Sequence, residues 1–397
     1  MDYLRIGTDY FKKVSVPLTE KESYDAIVKW KKQEIIQDHD KEYLKKIPKY
    51  DGFCNIPSHT DYEPEVGGHY NRYHRLSHEI KKGSWKNIEK FLRHIFGDQF
   101  ITGIDYLTIL YRYPMQTLPI LALVSEERNT GKSTFLQFLK LLFEKNITIN
   151  TNEDFRSRFN SDWSNKLIIA IDEVLLDKRE DSERLKNLST AKSYKTEAKG
   201  KDKTETAFFG KIILCSNNED NFVLIDSNEI RYWVRKIESL DTESSKPDPG
   251  FLDKIKNEIP SFLYVLSTRD IIVPKTTRMW FTKGHIHTPA LDRLLKGTTS
   301  SLLREIIEVL KDLFALTDKN ELAYGGKDLL LFLRENGVMS TTRKINDVLR
   351  SKLKPEEKNG SYSKYQVSYN TNGERYLNSN NEKGRHFIFK RGIIENF

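Results

Sequence analysis

The sequence predicts an α/β fold with a mainly parallel sheet in the middle of the chain. Three apolar segments, at residues 118–124, 166–171 and 211–215, have the length of buried strands, and polar residues follow each one directly. Helical patterns alternate with these strands, as they do in sheets that are covered by helices on both faces. Because the carboxyl ends of parallel strands meet at one edge, we expect a ligand site there.

The composition of the 397 residues predicts a globular protein with more than one domain. There are 65 lysines and arginines and 57 acidic residues, a net charge of +8 that favours nucleic acid over an acidic substrate. No apolar segment reaches the roughly 20 residues that cross a bilayer, and the start of the chain lacks a signal-peptide core. We therefore expect a cytoplasmic protein with no membrane partner.

The N-terminal part of the chain, residues 1–80, is polar and tyrosine-rich, and its patterns favour no single fold beyond short helices such as one at 21–37. Its histidines have no standard metal-ligand spacing, so we expect surface or hydrogen-bonded rings. Residues 81–115 predict a helical lead-in that we assign to oligomerisation, with Ser84 as its N-cap. A later helix, at 251–266, is predicted to be interrupted at Pro260.

Residues 126–134, EERNTGKST, form a candidate phosphate-binding loop between the first strand and an apolar helix. In the pattern G-x-x-x-x-G-K-[ST], Gly131 lets the backbone approach a phosphate, Lys132 brings a positive charge and Ser133 offers a hydroxyl to Mg²⁺. Glu126 stands where the pattern has its first glycine. An ordinary strand-to-helix turn is the alternative. The residues predicted to bind nucleotide are Asn129, Thr130, Gly131, Lys132, Ser133 and Thr134.

Polar residues that suit phosphate-bond hydrolysis follow the later strands. Asp172 can hold Mg²⁺, and Glu173 can polarise the attacking water. Asn217 can hydrogen-bond the same water, and Arg231 can stabilise charge on a phosphoryl group held by a neighbouring subunit. The predicted catalytic residues are Lys132, Asp172, Glu173, Asn217 and Arg231, and the predicted Mg²⁺ ligands are Ser133 and Asp172.

Between the second and third strands, residues 193–211 predict a hairpin with a basic tip around Gly200. Lysines at such a tip can contact backbone phosphates, so we interpret the segment as a DNA-contacting hairpin, with a solvated loop as the alternative. The predicted DNA-binding residues are Lys195, Lys199, Lys201 and Lys203.

The last hundred residues predict a separate C-terminal block. Helices followed by a two-stranded ribbon are typical of a winged-helix domain. A small helical domain that packs on the core without touching DNA is the equal alternative. The predicted elements are helices at 301–314, 327–335 and 342–353 and strands at 362–369 and 385–390. The recognition helix would carry Thr341, Thr342, Arg343, Lys344, Asn346 and Arg350.

The ordered set of loop, acidic pair, basic hairpin, asparagine and arginine, within residues 126–235, resembles the superfamily 3 helicases. The likeness is strongest to the helicase part of phage and plasmid primase-helicases and covers about residues 70–290. It implies an AAA+-like P-loop NTPase core in a hexameric ring that hydrolyses ATP with Mg²⁺ between subunits and translocates 3′ to 5′ on single-stranded or forked DNA. By position, the resemblance implies that Lys199 and Lys201 grip the DNA. It also implies that Arg231 is the arginine finger, with Arg235 as the second choice.

Two other functions remain open at this stage: an ATP-dependent nucleic-acid-binding initiator or scaffold without unwinding activity, and a monomeric P-loop kinase. No primase domain is recognised before the helicase segment, so we expect a separate primase as partner. The predicted division of the chain is an N-terminal region at 1–80, a helical lead-in at 81–115, the ATPase domain at 116–290 and a winged-helix-like domain at 291–397.

Overall fold

The computed structural model describes residues 2–17, 23–157, 163–176, 178–196, 204–225, 229–240, 250–370, 372 and 374–397. Within these ranges no helix is both long and apolar enough to cross a bilayer.

Two small sheets make up most of the N-terminal region. The first has the strand order β3-β2-β1-β4, and the second has the order β5-β7-β6. The predicted helix at 21–37 is wrong over its first half, because residues 23–30 pair with β2 as an antiparallel strand and this pairing outweighs local propensity. The elements are β1 (Tyr3–Ile6), β2 (Asp9–Pro17), β3 (Ser23–Trp30), α1 (Lys32–Asp38), α2 (Tyr43–Lys46), β4 (Lys49–Tyr50), β5 (Gly52–Cys54), β6 (Glu65–Val66) and β7 (His69–Asn71).

A five-stranded sheet in which all neighbours are parallel forms the centre of the chain, with the order β14-β8-β13-β10-β9. The predicted α/β fold with a parallel sheet is thus confirmed. Its elements and their connections are α3 (Lys86–Phe96), α4 (Phe100–Arg112), β8 (Ile120–Val124), α5 (Lys132–Phe143), β9 (Ile147–Asn150), α6 (Asn152–Arg156), β10 (Ile168–Ile171), α7 (Arg179–Thr190), β11 (Ser193–Thr196), β12 (Thr204–Ala207), β13 (Lys211–Ser216), β14 (Tyr232–Lys236), α8 (Phe251–Thr268) and α9 (Lys283–Ile286).

Both faces of the sheet are buried, because successive side chains of a strand point to opposite faces. In β8, Leu121 and Leu123 join a hydrophobic cluster with α3, α4, α5 and α8, whereas Ile120, Ala122 and Val124 join a second cluster on the other face. The second cluster includes residues of α7 and of the helix that begins at residue 289. This two-sided burial explains why the strands are apolar at every position rather than at alternate ones.

Two details of the covering helices differ from the sequence prediction. Trp85, not Ser84, is the N-cap of α3, and a carboxylate of Glu258 in α8 accepts a hydrogen bond from the Ile88 N–H at 3.0 Å. A tertiary partner therefore satisfies that helix end. Helix α8 continues through Pro260, because its apolar residues on both sides of the proline pack into the first cluster and offset the roughly 3 kcal/mol cost of the ring.

The C-terminal block has its own hydrophobic cluster and an antiparallel sheet with the order β15-β17-β16. The sequence prediction missed β15 and gave strands that were too short; it also extended the third helix beyond Val348, where a π-helical turn follows. The elements are α10 (Pro289–Ala315), β15 (Glu321–Tyr324), α11 (Gly326–Glu335), α12 (Thr342–Val348), β16 (Glu356–Tyr369), β17 (Arg375–Lys390) and α13 (Arg391–Glu395). The predicted domain boundary at 290/291 falls within the first turn of α10.

Candidate nucleotide-binding site

The loop between β8 and α5 turns at two residues with left-handed backbone angles. Gly131 has φ of 87° and Asn129 has φ of 54°. A side chain at residue 131 would also place its Cβ 3.2 Å from the ring of Phe91. Glycine therefore suits this position both for its left-handed backbone angle and for the close ring. The loop leads directly into α5, whose first N–H groups and positive dipole end favour an anion.

Lys132 lies inside this loop and is only 8% exposed. Its Nζ donates hydrogen bonds to the Ser125 carbonyl at 3.2 Å and to Thr130 Oγ1 at 3.1 Å. Burial lowers the pKa of the ammonium group, and the carboxyl groups of Asp172 and Glu219 oppose that shift. Both hydrogen-bond acceptors that the structure gives it are neutral, so its charge remains available to an anion in the loop.

The acidic pair lies at the carboxyl end of β10, beside the start of α5. Ser133 Oγ donates to Asp172 Oδ2 at 3.2 Å, which joins the two predicted Mg²⁺ ligands. Glu173 is exposed and has φ of 53°, and its carbonyl accepts a hydrogen bond from Asn152 Nδ2 at 3.2 Å. A glutamate in this conformation carries backbone strain of the kind found at functional sites. A hydroxyl and a carboxylate oxygen at this distance suit a hard cation such as Mg²⁺.

The end of β13 lies between the loop and the acidic pair, because β13 is between β8 and β10 in the sheet. Ser216 joins the neighbouring strands: its Oγ donates to the Val174 carbonyl at 2.8 Å, and its own carbonyl accepts from the Ser125 N–H at 3.2 Å. Asn217 follows with an exposed side chain that lines an open cavity of about 560 Å³. The three strand ends thus bring Lys132, the acidic pair and Asn217 to one edge of the sheet.

The two candidate arginines both have partners in their own chain, and Arg231 lies away from this edge. Arg231, just before β14, donates through Nη1 to both carboxylate oxygens of Glu229 at 2.8 and 2.9 Å, and its side chain is 28% exposed. Arg235, within β14, bonds Asp98 at 2.8 Å and Gln99 at 3.0 Å and is 11% exposed. Arg235 thus fastens the α3–α4 connection to the sheet, whereas Arg231 lies at the amino end of its strand.

Strands β11 and β12 pair as an antiparallel hairpin, as predicted for residues 193–211. Lys195 is exposed and lies opposite Glu205. The other three predicted DNA-binding lysines, Lys199, Lys201 and Lys203, lie outside the described residues.

An arginine that the sequence reasoning missed bridges the loop and the end of β13. Arg293, from the first turns of α10, contacts Glu126 at 2.8 Å, Glu219 at 2.7 Å and Asp220 at 2.6 Å. Hydrogen bonds and charge from Asp220, with the other two carboxylates, raise the pKa of this guanidinium. No local pattern reveals the cluster, since its members are up to 167 residues apart. Glu126, which stands where the loop pattern has a glycine, is therefore one of three carboxylates that pair with Arg293. We call these four residues the Arg293 cluster.

Three of the N-terminal histidines are held by protein partners. The ring of His59 contacts the Tyr111 carbonyl at 2.7 Å and the Tyr73 hydroxyl at 2.8 Å, and burial lowers its pKa to about 4. His74 pairs with Glu144 at 2.7 Å, and His78 contacts the Leu141 carbonyl at 2.8 Å. These rings join the N-terminal region to the central unit. Among the described residues, no group of three or more histidines, cysteines or carboxylates is arranged to hold a metal ion.

Comparison with known proteins finds one family model that matches within this central region. The model of a family of unknown function, DUF5906, matches residues 123–233, from the end of β8 to β14. A curated protein named DNA Primase-polymerase, from Nitratiruptor phage NrS-1, is 24% identical over 214 residues, which are 53% of this chain and 29% of that protein. The match thus spans less than a third of that relative.

Solved structures extend the likeness to nearly the whole chain. The apo structure of the NrS-1 C-terminal region, residues 305–718 of that protein, has a TM-score of 0.57 at 17% identity and covers 95% of both chains. A second apo structure of the same region, called its A form, has a TM-score of 0.56 at 17% identity and covers 97% of this chain and 95% of its own. The chain therefore has the fold of the NrS-1 C-terminal region.

Proposed function

We propose that this chain is a phage replication protein and, more specifically, the ATP-hydrolysing subunit of a ring-shaped DNA helicase. The observation that carries the proposal is the convergence at one sheet edge: Lys132 inside its loop, the Ser133–Asp172 contact of 3.2 Å, and Asn217 directly after the strand between them. The likeness to a phage DNA primase-polymerase supports the replication role. The strand order and the loop geometry support an AAA+-like P-loop core.

The residues at this edge have separable roles in ATP hydrolysis. When bound, ATP supplies the phosphoryl group and Mg²⁺ neutralises charge on its oxygens. Lys132 and the N–H groups at the start of α5 bind the phosphates, and Ser133 and Asp172 hold the metal ion. Glu173 orients and polarises the attacking water, and Asn217 hydrogen-bonds it.

The position of Arg231 supports a site shared between subunits. Its strand, β14, runs parallel to β8, so the start of β14 lies at the sheet edge opposite to the loop. In an oligomer, Arg231 would exchange Glu229 for a phosphate bound to the neighbouring subunit, which is the action of an arginine finger. A hexameric ring with hairpin lysines in its channel follows from the family resemblance. The winged-helix interpretation of residues 291–397 belongs to the same proposal.

A strand-displacement assay on forked DNA tests the function. We expect DNA-stimulated ATPase activity and ATP-dependent unwinding in the wild type, and loss of both in Lys132→Ala and Glu173→Gln. Arg278→Ala, at an exposed residue remote from this edge, serves as the matched control. DNA binding that depends on ATP without any unwinding would favour an initiator or scaffold. A monomer in the presence of a non-hydrolysable ATP analogue would contradict the shared site.

A further inference from the structure

A large groove lies in the N-terminal region, away from the proposed ATPase edge. It has a volume of about 1190 Å³ and is bounded by β2 and β3 of the first small sheet, by β5 and β7 of the second, and by β12 of the hairpin. We call this cavity the N-terminal groove. Neither the phosphate-binding loop nor the arginine sites contribute to it.

Aromatic rings supply the flat surfaces of the groove. Phe53, Tyr62 and Tyr70 line it, and each is only partly buried. The ring centroids of Phe53 and Tyr70 are 6.2 Å apart, and Phe11 of β2 packs edge-on against Phe53 at 5.3 Å. This packing fixes the rings across both small sheets. Fixed, partly exposed rings are the surfaces on which unpaired bases stack.

Positive charge accompanies these rings. The Arg72 guanidinium lies 5.1 Å from the Phe53 centroid, and Lys13 Nζ lies 5.1 Å from the Tyr70 centroid. Both side chains are exposed, as is that of Arg75 beside them. The lining residues include five lysines and arginines and two carboxylates, and one of the carboxylates already pairs with Lys145 at 2.5 Å. The groove therefore has an excess of positive charge next to its ring faces.

The groove also ends at a segment with a proposed role in DNA contact. Residues 205–207 of β12 form part of its wall, and they belong to the hairpin that carries the predicted DNA-binding lysines. A strand bound in the groove would thus lead to the base of that hairpin.

We propose that the N-terminal groove binds single-stranded nucleic acid. Its bases stack on Phe53, Tyr62 and Tyr70, and its phosphates pair with the positive groups. Aromatic rings for the bases and cations for the backbone phosphates are the two elements that single-strand binding sites combine. The proposal goes beyond the proposed function, in which only the hairpin contacts DNA, and it requires neither ATP nor a ring.

The test measures binding of a fluorescent oligodeoxythymidylate to the full chain without nucleotide. We compare Arg72→Glu/Arg75→Glu with Lys32→Glu/Arg278→Glu, which changes the net charge equally at exposed residues outside the groove. We expect the groove variant to bind at least tenfold more weakly than the control. Losing two phosphate contacts should also make the slope of log K against log salt less steep by about 1.4. Equal affinity of the two variants would overturn the proposal.

Photo-crosslinking locates the bound strand independently. With 5-iododeoxyuridine in the oligonucleotide, we expect crosslinks at Phe53, Tyr62 or Tyr70 that the groove variant loses. Crosslinks confined to residues 193–204, or equal competition by polyglutamate, would overturn the proposal. If the charge-reversed variant melts earlier than the wild type, Arg72→Gln/Arg75→Gln repeats the test with a smaller expected loss. ATPase activity without DNA, measured in parallel, separates failure of this proposal from failure of the proposed function.

Discussion

The two edges of the central sheet carry different chemistry. At the carboxyl edge, Lys132, Asp172 and Asn217 converge from neighbouring strands. At the amino edge, Arg231 forms an ion pair with Glu229. The five residues of β14 separate the two edges by roughly 16 Å, which is more than one side chain can reach. The comparison teaches that, under the proposed function, one copy of this fold would supply two unlike half-sites, whose contributions mutation can separate.

The largest expected effect is on the ATPase rate, and it comes from two variants that each disable a different edge. Glu173→Gln alters the carboxyl edge and Arg231→Ala alters the amino edge, and we expect each alone to lose about a thousandfold in ATPase rate. In mixed rings one interface in four would combine an intact glutamate with an intact arginine, so a 1:1 mixture should recover about a quarter of wild-type activity.

The control for the mixing experiment is Arg235→Ala mixed with Glu173→Gln. Because Arg235 is nearly buried and bonded to Asp98 and Gln99, we expect its loss to lower thermal stability, and the mixture should show no gain beyond the sum of its components. Failure of the Arg231 mixture to recover, when subunit exchange is demonstrated by fluorescence, would mean that the two edges do not act together.

A second stability effect is expected at Glu144, which pairs with His74 and accepts hydrogen bonds from Ser77. Burial alone would raise the pKa of Glu144, but hydrogen bonds from His74 and Ser77 lower it to about 2, below its ordinary 4.5. A lowered carboxyl pKa stabilises the fold above pH 4.5, and this contribution disappears as the pH falls from 4.5 towards 2. We expect Glu144→Gln to cost about 3 kcal/mol in urea unfolding at pH 7 and progressively less in that window. Glu335→Gln, an exposed control, should show neither effect.

A smaller loss is expected at the carboxyl edge from removing Arg293. Glu219 is 2% exposed and would keep only Lys236, at 3.4 Å, as an ion-pair partner among the described contacts. Because Arg293 is itself 43% exposed, we expect Arg293→Ala to reduce the free energy of unfolding by less than Glu144→Gln does, and by less than the loss of a fully buried pair would. Arg304→Ala removes the same charge from α10 and should cost less than half as much.

The smallest effect concerns the residue that departs from the loop pattern. Glu126→Gly removes a carboxylate beside the loop, so we expect ATP to bind about fivefold more tightly as repulsion between anions is relieved. Glu127→Gly is the matched control, since it is an exposed neighbour without a contact to Arg293 among those described. Isothermal titration with a non-hydrolysable analogue measures both. Weaker binding by Glu126→Gly would mean that the Arg293 cluster supports the loop.

The sequence predicted those features that depend on contiguous residues. Buried strands, the loop before α5 and the polar ends of β10 and β13 all follow from local patterns, so the α/β sheet could be predicted. The N-terminal sheets could not, because strands such as β3 depend on pairing with β2 rather than on their own periodicity. Likewise, Arg293 approaches Glu126 and Glu219 only through the tertiary fold, and the left-handed backbone of Glu173 has no signature in the residue order.

Helix α10 has a mechanical consequence. It is a continuous helix of 27 residues, about 40 Å long, and its ends lie in two different hydrophobic clusters. Arg293 fixes the first end to the loop region, and the second end is packed within the C-terminal block. The far end lies about 33 Å from Arg293 along the helix, so a tilt of 5° at Arg293 would move that end by roughly 3 Å. The helix can therefore act as a lever that amplifies a small rearrangement at the loop into a displacement of the β16–β17 hairpin.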